Sequence, residues 1–244
     1  MRIRATAAGE AQPTRTSKHR NALKASTVVA ALALAATSCT TEKSAPPPDH
    51  PCGTDEEAGT RALLQQIMGT DKYITTIHNT NSKLMEKMTE ELQKMRPSES
   101  AMSFSTCLFR PKDSQDGGKA FGIEFTWTAR EDSTKGRLPY KVSYYNINGA
   151  LGEANDVSMR LRVPCDLPGN LRKASSQAFL LAESSNTLDM KDASNQKTRD
   201  QQATFLYLMT RKATDAIGCN NNPLEKDPTV KAFSTPEEAT RVGS

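Results

Sequence analysis

Hydrophobic residues change their spacing twice between residues 52 and 222, and this change limits the possible folds more than any other feature of the sequence. They first recur every three or four residues, then alternate with polar residues, and return to helical spacing near residue 205. The first spacing is typical of amphipathic helices and the second of half-buried strands. We therefore predict an α+β fold in which N-terminal and C-terminal helices cover an antiparallel sheet of four to five strands.

Polar turns and loops separate the predicted strands. Asp116-Gly117-Gly118 divides the first two, which makes them a hairpin-like pair. Loops are predicted at 130–138 and 148–155. The last apolar run, 178–184, adds a fifth strand or, alternatively, a short helix. The predicted strands cover 102–108, 121–127, 140–144, 157–163 and 178–184.

Helical spacing appears before and after these strands. A first helix starts at the acidic segment 54–57 and is interrupted at Gly69, and a second ends at Arg96-Pro97. The last helix ends at Gly218, as is typical of a helix with a C-terminal glycine cap. The second helix carries a methionine-rich stripe, which we interpret as core packing, with a promiscuous binding groove as the alternative. The stripe consists of Leu84, Met85, Met88, Leu92 and Met95.

The N-terminal segment has the organisation of an export signal. Basic residues up to Lys24 precede an uncharged run of small and aliphatic residues, 25–36. Its length falls within the window of about 7 to 15 residues for the apolar region of a signal peptide and below the roughly 20 that a membrane-spanning helix needs. We predict that residues 1–38 are a signal peptide.

The export signal ends in Ala36-Thr37-Ser38-Cys39, which resembles the lipobox of bacterial prolipoproteins. The resemblance implies that Cys39 is joined to diacylglycerol, becomes the first residue of the mature chain and anchors it to the outer face of the cell membrane. Ala36 departs from the Leu that this family most often has there, and the alternative is an ordinary secretory signal cleaved after Ala35-Ala36. Two acyl chains hold a protein on a membrane more firmly than one.

The chain after the lipobox divides into a stalk, a domain and a tail. Residues 39–51 contain little that can be buried, and the triple proline at 46–48 favours an extended stalk. Residues 52–222 are long enough for a single domain with its own core. The polar segment 223–244 is predicted to be a partly disordered tail.

Charge argues against a nucleic-acid partner. The whole chain has a formal charge of +4, but the predicted signal peptide holds six Lys or Arg residues against one Glu. The mature chain is therefore left with a charge of −1. Binding to nucleic acid requires a retained basic patch, which this balance does not favour.

Four cysteines remain once the lipobox cysteine is set aside. An even number in an exported chain, with no CxxC spacing, predicts two disulfides instead of a metal site. Strands of a meander alternate in direction, so Cys107 and Cys165 should lie at opposite ends of the sheet. The favoured pairs are then Cys52–Cys107 and Cys165–Cys219. A hairpin at Gly69 would move the first helix and favour Cys52–Cys219 instead.

Few residues have the setting that catalysis or metal binding requires. His50 lies in the stalk, too near the anchor to belong to a folded site. His78 lies between two helices and is interpreted as a solvated loop histidine, since there is no G-x-S-x-G motif. No zinc or calcium spacing is present, and we expect no metal and no cofactor. Glu124 is interpreted as a solvent-facing strand residue, and Glu131 and Asp132 as a charged turn instead of a catalytic carboxylate pair with it.

The aromatic residues of the middle segment have two interpretations. They either line a ligand cleft or, as we favour, mostly form core and cross-strand contacts. The residues concerned are Trp127, Tyr140, Tyr144 and Tyr145.

The order of features along the mature chain is similar to that of uncharacterised secreted lipoproteins of actinobacteria. These features are the lipobox, the proline stalk, a cysteine before the first helix, strand cysteines, and a late helix ending in Gly218-Cys219. The resemblance implies a surface location and disulfides, and it implies no activity. We therefore expect a non-enzymatic, membrane-tethered module that binds an envelope protein or the cell wall. The alternatives are a small-ligand carrier or sensor, with a cleft between the methionine-rich helix and the sheet, and a hydrolase that uses His78.

Overall fold

The computed structural model describes residues 49–54, 58–113, 119–132, 138, 142–188 and 195–242. Cys39, the predicted signal peptide, Tyr140 and the turn at 116–118 lie outside these ranges. The elements are α1 (Ala58–Met68), β1 (Tyr73–Ile77), α2 (Asn81–Lys94), β2 (Phe104–Pro111), β3 (Phe121–Ala129), a 3-10 turn (Arg130–Asp132), β4 (Ser143–Ile147), β5 (Ala150–Ala154), β6 (Ser158–Val163), a second 3-10 turn (Gly169–Leu171), α3 (Arg172–Ser176), β7 (Ala178–Asn186), α4 (Gln196–Ile217), β8 (Ala232–Phe233) and α5 (Pro236–Arg241).

The strands form one antiparallel sheet in the order β1-β2-β3-β7-β6-β5-β4-β8. The predicted α+β class is confirmed, but four to five strands is too few, since the described residues form a sheet of eight. The predicted meander is also wrong in one place. β7 pairs with β3 from Phe121↔Asn186 to Ala129↔Ala178, and it therefore lies between β3 and β6.

The strands absent from the prediction are β1, β5 and β8. β5 lies in the segment that the sequence analysis assigns to a loop. Asn148 and Gly149 connect it to β4 and have φ angles of 53° and 92°. Positive φ at both positions is the geometry of a tight two-residue hairpin, for which Asn-Gly is the preferred sequence. β1 and β8 are the two edge strands and each pairs on one side within the described sheet.

The long helices begin and end at residues suited to capping. The side chains of Thr80 and Asn195 accept backbone N–H groups of the first turns of α2 and α4, from Lys83 and Thr198 respectively. Gly218 ends α4 in the left-handed region, with φ 86°, as predicted from the sequence. These local signals are independent of the sheet and explain why both helices are predictable.

An aromatic core joins these helices to one face of the sheet. Trp127 on β3 is fully buried, and its Nε1 donates a hydrogen bond of 2.8 Å to the carbonyl oxygen of Met88 on α2. Phe205 on α4 makes edge contacts with Phe109 and Phe121, with ring centroids 6.0 and 5.6 Å apart. Such edge-to-face pairs each contribute about 0.5–1.5 kcal/mol beyond their buried area.

The methionine-rich stripe of α2 belongs to the same core. Leu84, Met88 and Leu92 are buried, whereas Met85 is 45% exposed. Side chains therefore fill the space between α2 and the sheet where the carrier hypothesis places its cleft. The interpretation of this stripe as core packing is confirmed for its buried residues.

Two disulfides connect the helical and strand segments. Cys52–Cys107 joins the segment before α1 to β2, and Cys165–Cys219 joins the ends of β6 and α4. These are the pairs favoured from the sequence. Gly69 has φ +65° and β1 follows it, so the chain does turn between α1 and α2, yet Cys52 pairs with Cys107 and not with Cys219.

Both ends of the described chain contact the domain. The backbone N–H of Asn81 donates to the carbonyl oxygen of Asp49 at 3.1 Å, and Pro51 is buried. Asp49 and Pro51 belong to the segment that the sequence predicts to be a stalk. In the predicted tail, Leu224 is 1% and Ala239 2% exposed, and β8 and α5 are regular elements. The tail is thus part of the fold through residue 242.

Candidate binding site

His50 and His78 lie apart from the surface described below. His78 is exposed in the connection between β1 and α2, and its backbone N–H donates to the carbonyl oxygen of Thr106 at 3.0 Å. His50 is half-buried, and its Nδ1 has no hydrogen-bond partner among the described residues. Those residues also include no group of three or more His, Cys, Asp or Glu side chains placed to hold a metal ion.

The sheet face opposite α2 and α4 is called the outer face from here on. It carries the alternate residues of β3, β7, β6 and β5 that do not point toward Trp127 and Phe121. A row of charged residues crosses these four strands as direct cross-strand neighbours. In order, the row is Glu124, Glu183, Arg160 and Glu153.

An ion pair stands at the centre of this row. Nε and Nη2 of Arg160 donate to the two carboxylate oxygens of Glu183 at 2.7 and 3.2 Å, and both side chains are 22% exposed. Such bidentate contacts fix the guanidinium in one orientation. Glu124, which is predicted to face solvent, is half-buried beside Glu183 on the outer face. Glu131 accepts a hydrogen bond from Ser98 instead of pairing with Glu124.

A second, more buried pair lies beside the first. Nη2 of Arg162 donates to Oε1 of Glu153 at 3.1 Å, and their side chains are 12% and 3% exposed. Removing charges from water is costly unless they are paired and hydrogen-bonded. Among the described residues, this is the only side-chain hydrogen bond that either Arg162 or Glu153 makes, although a guanidinium has five N–H donors. Most of the donors of Arg162 are therefore available to another group.

A pocket of about 290 Å³ opens at this pair, between the outer face and α5. The helix is held in place by Asn146, whose Nδ2 donates to the carbonyl oxygen of Ala239 at 2.9 Å. This pocket is called the α5 pocket from here on. It is lined by Arg130, Tyr144, Tyr145, Leu151, Gly152, Glu153, Arg162, Phe179, Pro236, Ala239 and Thr240.

Arg130 enters the α5 pocket from the turn that follows β3. Its Nε donates to the carbonyl oxygen of Ala178 at 3.3 Å, and its guanidinium carbon lies 4.9 Å from the ring centroid of Phe179. These two contacts orient the guanidinium while its terminal nitrogens make no hydrogen bond to the described residues. With Arg162 and Glu153, Arg130 gives the pocket lining a net charge of +1.

The aromatic residues of β3 and β4 divide between the two faces. Trp127 and Tyr145 are fully buried, whereas Tyr144 is half-buried and lines the α5 pocket beside Tyr145. Tyr145 donates to Oδ1 of Asp200 at 3.2 Å and accepts from Gln196 at 2.9 Å, which ties the start of α4 to β4. Burial, together with the charge of Asp200, raises the pKa of the Tyr145 hydroxyl. This tyrosine is a structural contact, in agreement with the interpretation of most of this group as core.

The residues of the α5 pocket were not identified as a site from the sequence. Glu153 falls in a segment predicted to be a loop, and Arg130 opens another. Arg162 is predicted to lie on the polar side of its strand, and no acidic partner is predicted for it. The Asn-Gly pair at 148–149 was the missed signal, because it predicts β5 and thereby places Glu153 on the same face as Arg162.

Among the described residues, no helix combines the length and the apolar character that crossing a membrane requires. Comparison of the chain with protein-family models, with curated proteins and with solved structures gave no match.

Proposed function

We propose that this protein is a non-enzymatic, lipid-anchored module of the bacterial envelope that binds another envelope protein through the outer face of its sheet. In this proposal Cys39 carries the lipid, the mature chain lies on the extracytoplasmic side, and the proline-rich stalk separates the domain from the membrane. The lipobox resemblance and the stalk composition support the location. The charged row on the outer face supports the binding function.

The mixture of charges in this row is the observation that carries the proposal. Three acidic side chains lie on neighbouring strands, and Arg160 stands between two of them, Glu183 and Glu153. Such a mixed pattern complements a protein surface, where charges of both signs are placed individually. A polyanionic cell-wall polymer would instead favour a surface of one positive sign. The proposal therefore commits to a protein partner, with the cell wall as the competing outcome.

Site-specific photo-crosslinking in intact cells tests this proposal. A photoreactive residue at Ser185, which is exposed on the outer face, is compared with one at Glu86 on the exposed side of α2. We expect a protein adduct of discrete mass from position 185 and none from position 86. Adducts of equal yield from both positions, or a polydisperse adduct sensitive to cell-wall hydrolases, would contradict a protein-binding outer face.

Charge reversal provides the matched control. Glu124→Lys changes the row beside Glu183, whereas Glu86→Lys makes the same exchange on α2 near Lys83. We expect the first variant to reduce the crosslinked adduct from position 185 at least about tenfold, since like-charge contacts at an interface cost several kcal/mol. Equal adduct yields in the two variants would show that the row does not select the partner.

The small-ligand alternative is supported by the α5 pocket and not by the cleft between α2 and the sheet that the sequence predicts. The space between α2 and the sheet is packed with Met88 and its neighbours. The α5 pocket, in contrast, is concave, partly apolar and lined by charged side chains with free hydrogen-bonding capacity toward the described residues.

A further inference from the structure

We infer that the α5 pocket binds a small monocarboxylate with an apolar, preferably aromatic, body. This site shares Glu153 with the charged row of the outer face, but its argument does not depend on a protein partner there. Three observations carry the inference: two oriented guanidinium groups, a buried carboxylate that limits the charge of the ligand, and an apolar part of the lining.

The two guanidinium groups form the anionic end of the site. Glu153 holds Arg162 by a hydrogen bond of 3.1 Å, and Phe179 and the carbonyl oxygen of Ala178 hold Arg130. Both side chains are thus oriented without using most of their donors. A planar guanidinium with parallel N–H groups matches the geometry of a carboxylate.

The buried carboxylate of Glu153 selects the charge of the ligand. Its side chain is 3% exposed, and it neutralises one of the two arginines. A ligand of charge −1 balances the remaining positive charge of the pocket. A dianion such as phosphate would meet the buried Glu153 carboxylate at close range, where like charges repel. A cation would face both arginines.

The apolar part of the lining fits the body of the ligand. Tyr144, Leu151 and Phe179 line the pocket together with carbon-rich residues of α5. A volume of about 290 Å³ corresponds to roughly ten water molecules and lies at the lower limit of ordinary small-molecule sites. This room suits one ring or a short branched chain with its carboxylate.

Titration calorimetry with 3-phenylpropionate tests the inference. The purified full-length protein is used in detergent micelles, and empty micelles give the blank. We expect saturable binding of 3-phenylpropionate, and binding at least about tenfold weaker for 3-phenylpropanamide, which keeps the shape and loses the charge. Acetate, which keeps the charge and loses the ring, should also bind at least tenfold more weakly.

Matched arginine variants locate the binding. Arg130→Gln removes an exposed guanidinium at the α5 pocket, and Arg110→Gln removes an exposed one from β2. We expect the first to weaken 3-phenylpropionate binding at least about tenfold and the second to leave it unchanged.

Four results would overturn the assignment. They are no saturable binding of 3-phenylpropionate by the parent, equal binding of its amide, equal binding of acetate, and equal weakening by the two arginine variants. Because the titration contains no partner protein, its result is independent of the crosslinking experiment.

Discussion

The two disulfides close loops of nearly equal length, and this equality permits a quantitative prediction. Cys52–Cys107 spans 55 residues and Cys165–Cys219 spans 54. In the chain-entropy description, a cross-link closing a loop of this size lowers the entropy of the unfolded chain enough to stabilise the fold by about 4 kcal/mol. All four cysteines are buried, so the packing lost on truncation to alanine is similar for the two bridges.

The perturbation is the removal of one bridge at a time. We expect Cys52→Ala/Cys107→Ala and Cys165→Ala/Cys219→Ala each to lower the free energy of unfolding by about 4 kcal/mol, and the two losses to agree within about 1 kcal/mol. Guanidinium-induced unfolding at constant pH, followed by circular dichroism, gives both values. A loss below about 1 kcal/mol for either variant would refute the reasoning from loop length.

Thiol labelling under denaturing, non-reducing conditions provides the control on connectivity. If the bridges are Cys52–Cys107 and Cys165–Cys219, each double variant removes a complete pair. Neither should then label with a maleimide more than the parent does. Two additional thiols in either variant would show that its cysteines belong to different bridges, and the stability values would need another explanation.

Three further perturbations test individual contacts. Because the folded-state pKa of Tyr145 is raised, mainly by burial, its contribution to stability is present below about pH 10 and is lost as the pH rises further, by up to about 1.4 kcal/mol per pH unit. Tyr145→Phe should therefore flatten the alkaline decline of stability, and an unchanged slope would contradict this. Trp127→Phe removes the hydrogen bond to the Met88 carbonyl oxygen and should cost about 2 kcal/mol in chemical unfolding; a cost below about 0.5 kcal/mol would contradict the contact. Gly218→Ala adds a methyl group where no neighbouring atom lies within 4 Å, but at φ +86°, so a loss of about 1 kcal/mol is expected from backbone strain alone, and no loss would argue against the left-handed cap.

The elements that the sequence predicts well have strong local signals. α2 has a regular apolar stripe and a capping threonine, and α4 ends at Gly218. β3 alternates apolar and polar residues through most of its length, with Phe121, Ile123 and Phe125 on the buried side. In these segments, local preference and tertiary packing favour the same structure.

The missed strands lack such signals for physical reasons. β1 is an edge strand in which Ile74 and Ile77 are about half exposed, so burial does not impose a clear alternation. β8 has two residues, too few for a periodicity. β5 reads Ala-Leu-Gly-Glu-Ala, and small residues there lie beneath larger neighbours: a Cβ on Gly152 would come within 2.7 Å of the Met159 side chain. Its pattern reflects close packing instead of amphipathic alternation.

The α5 pocket depends on contacts that no local pattern contains. Glu153 and Arg162 meet because β5 and β6 are paired in one register, and Arg130 reaches Phe179 because β7 inserts beside β3. In the predicted meander, β7 stands at the far end of the sheet, which separates these residues. Strand order thus limited the prediction of the site more than residue chemistry did.

The intact mass of the mature protein, extracted from membranes, tests the central claim that it is a lipid-anchored envelope module. We expect a chain that starts at Cys39 and carries a mass increment of at least one diacylglyceryl group, with Cys39→Ser abolishing both the increment and the membrane association. An unmodified chain that starts at another residue, such as Thr37 after cleavage of an ordinary secretory signal, would contradict the anchor and with it the proposed location.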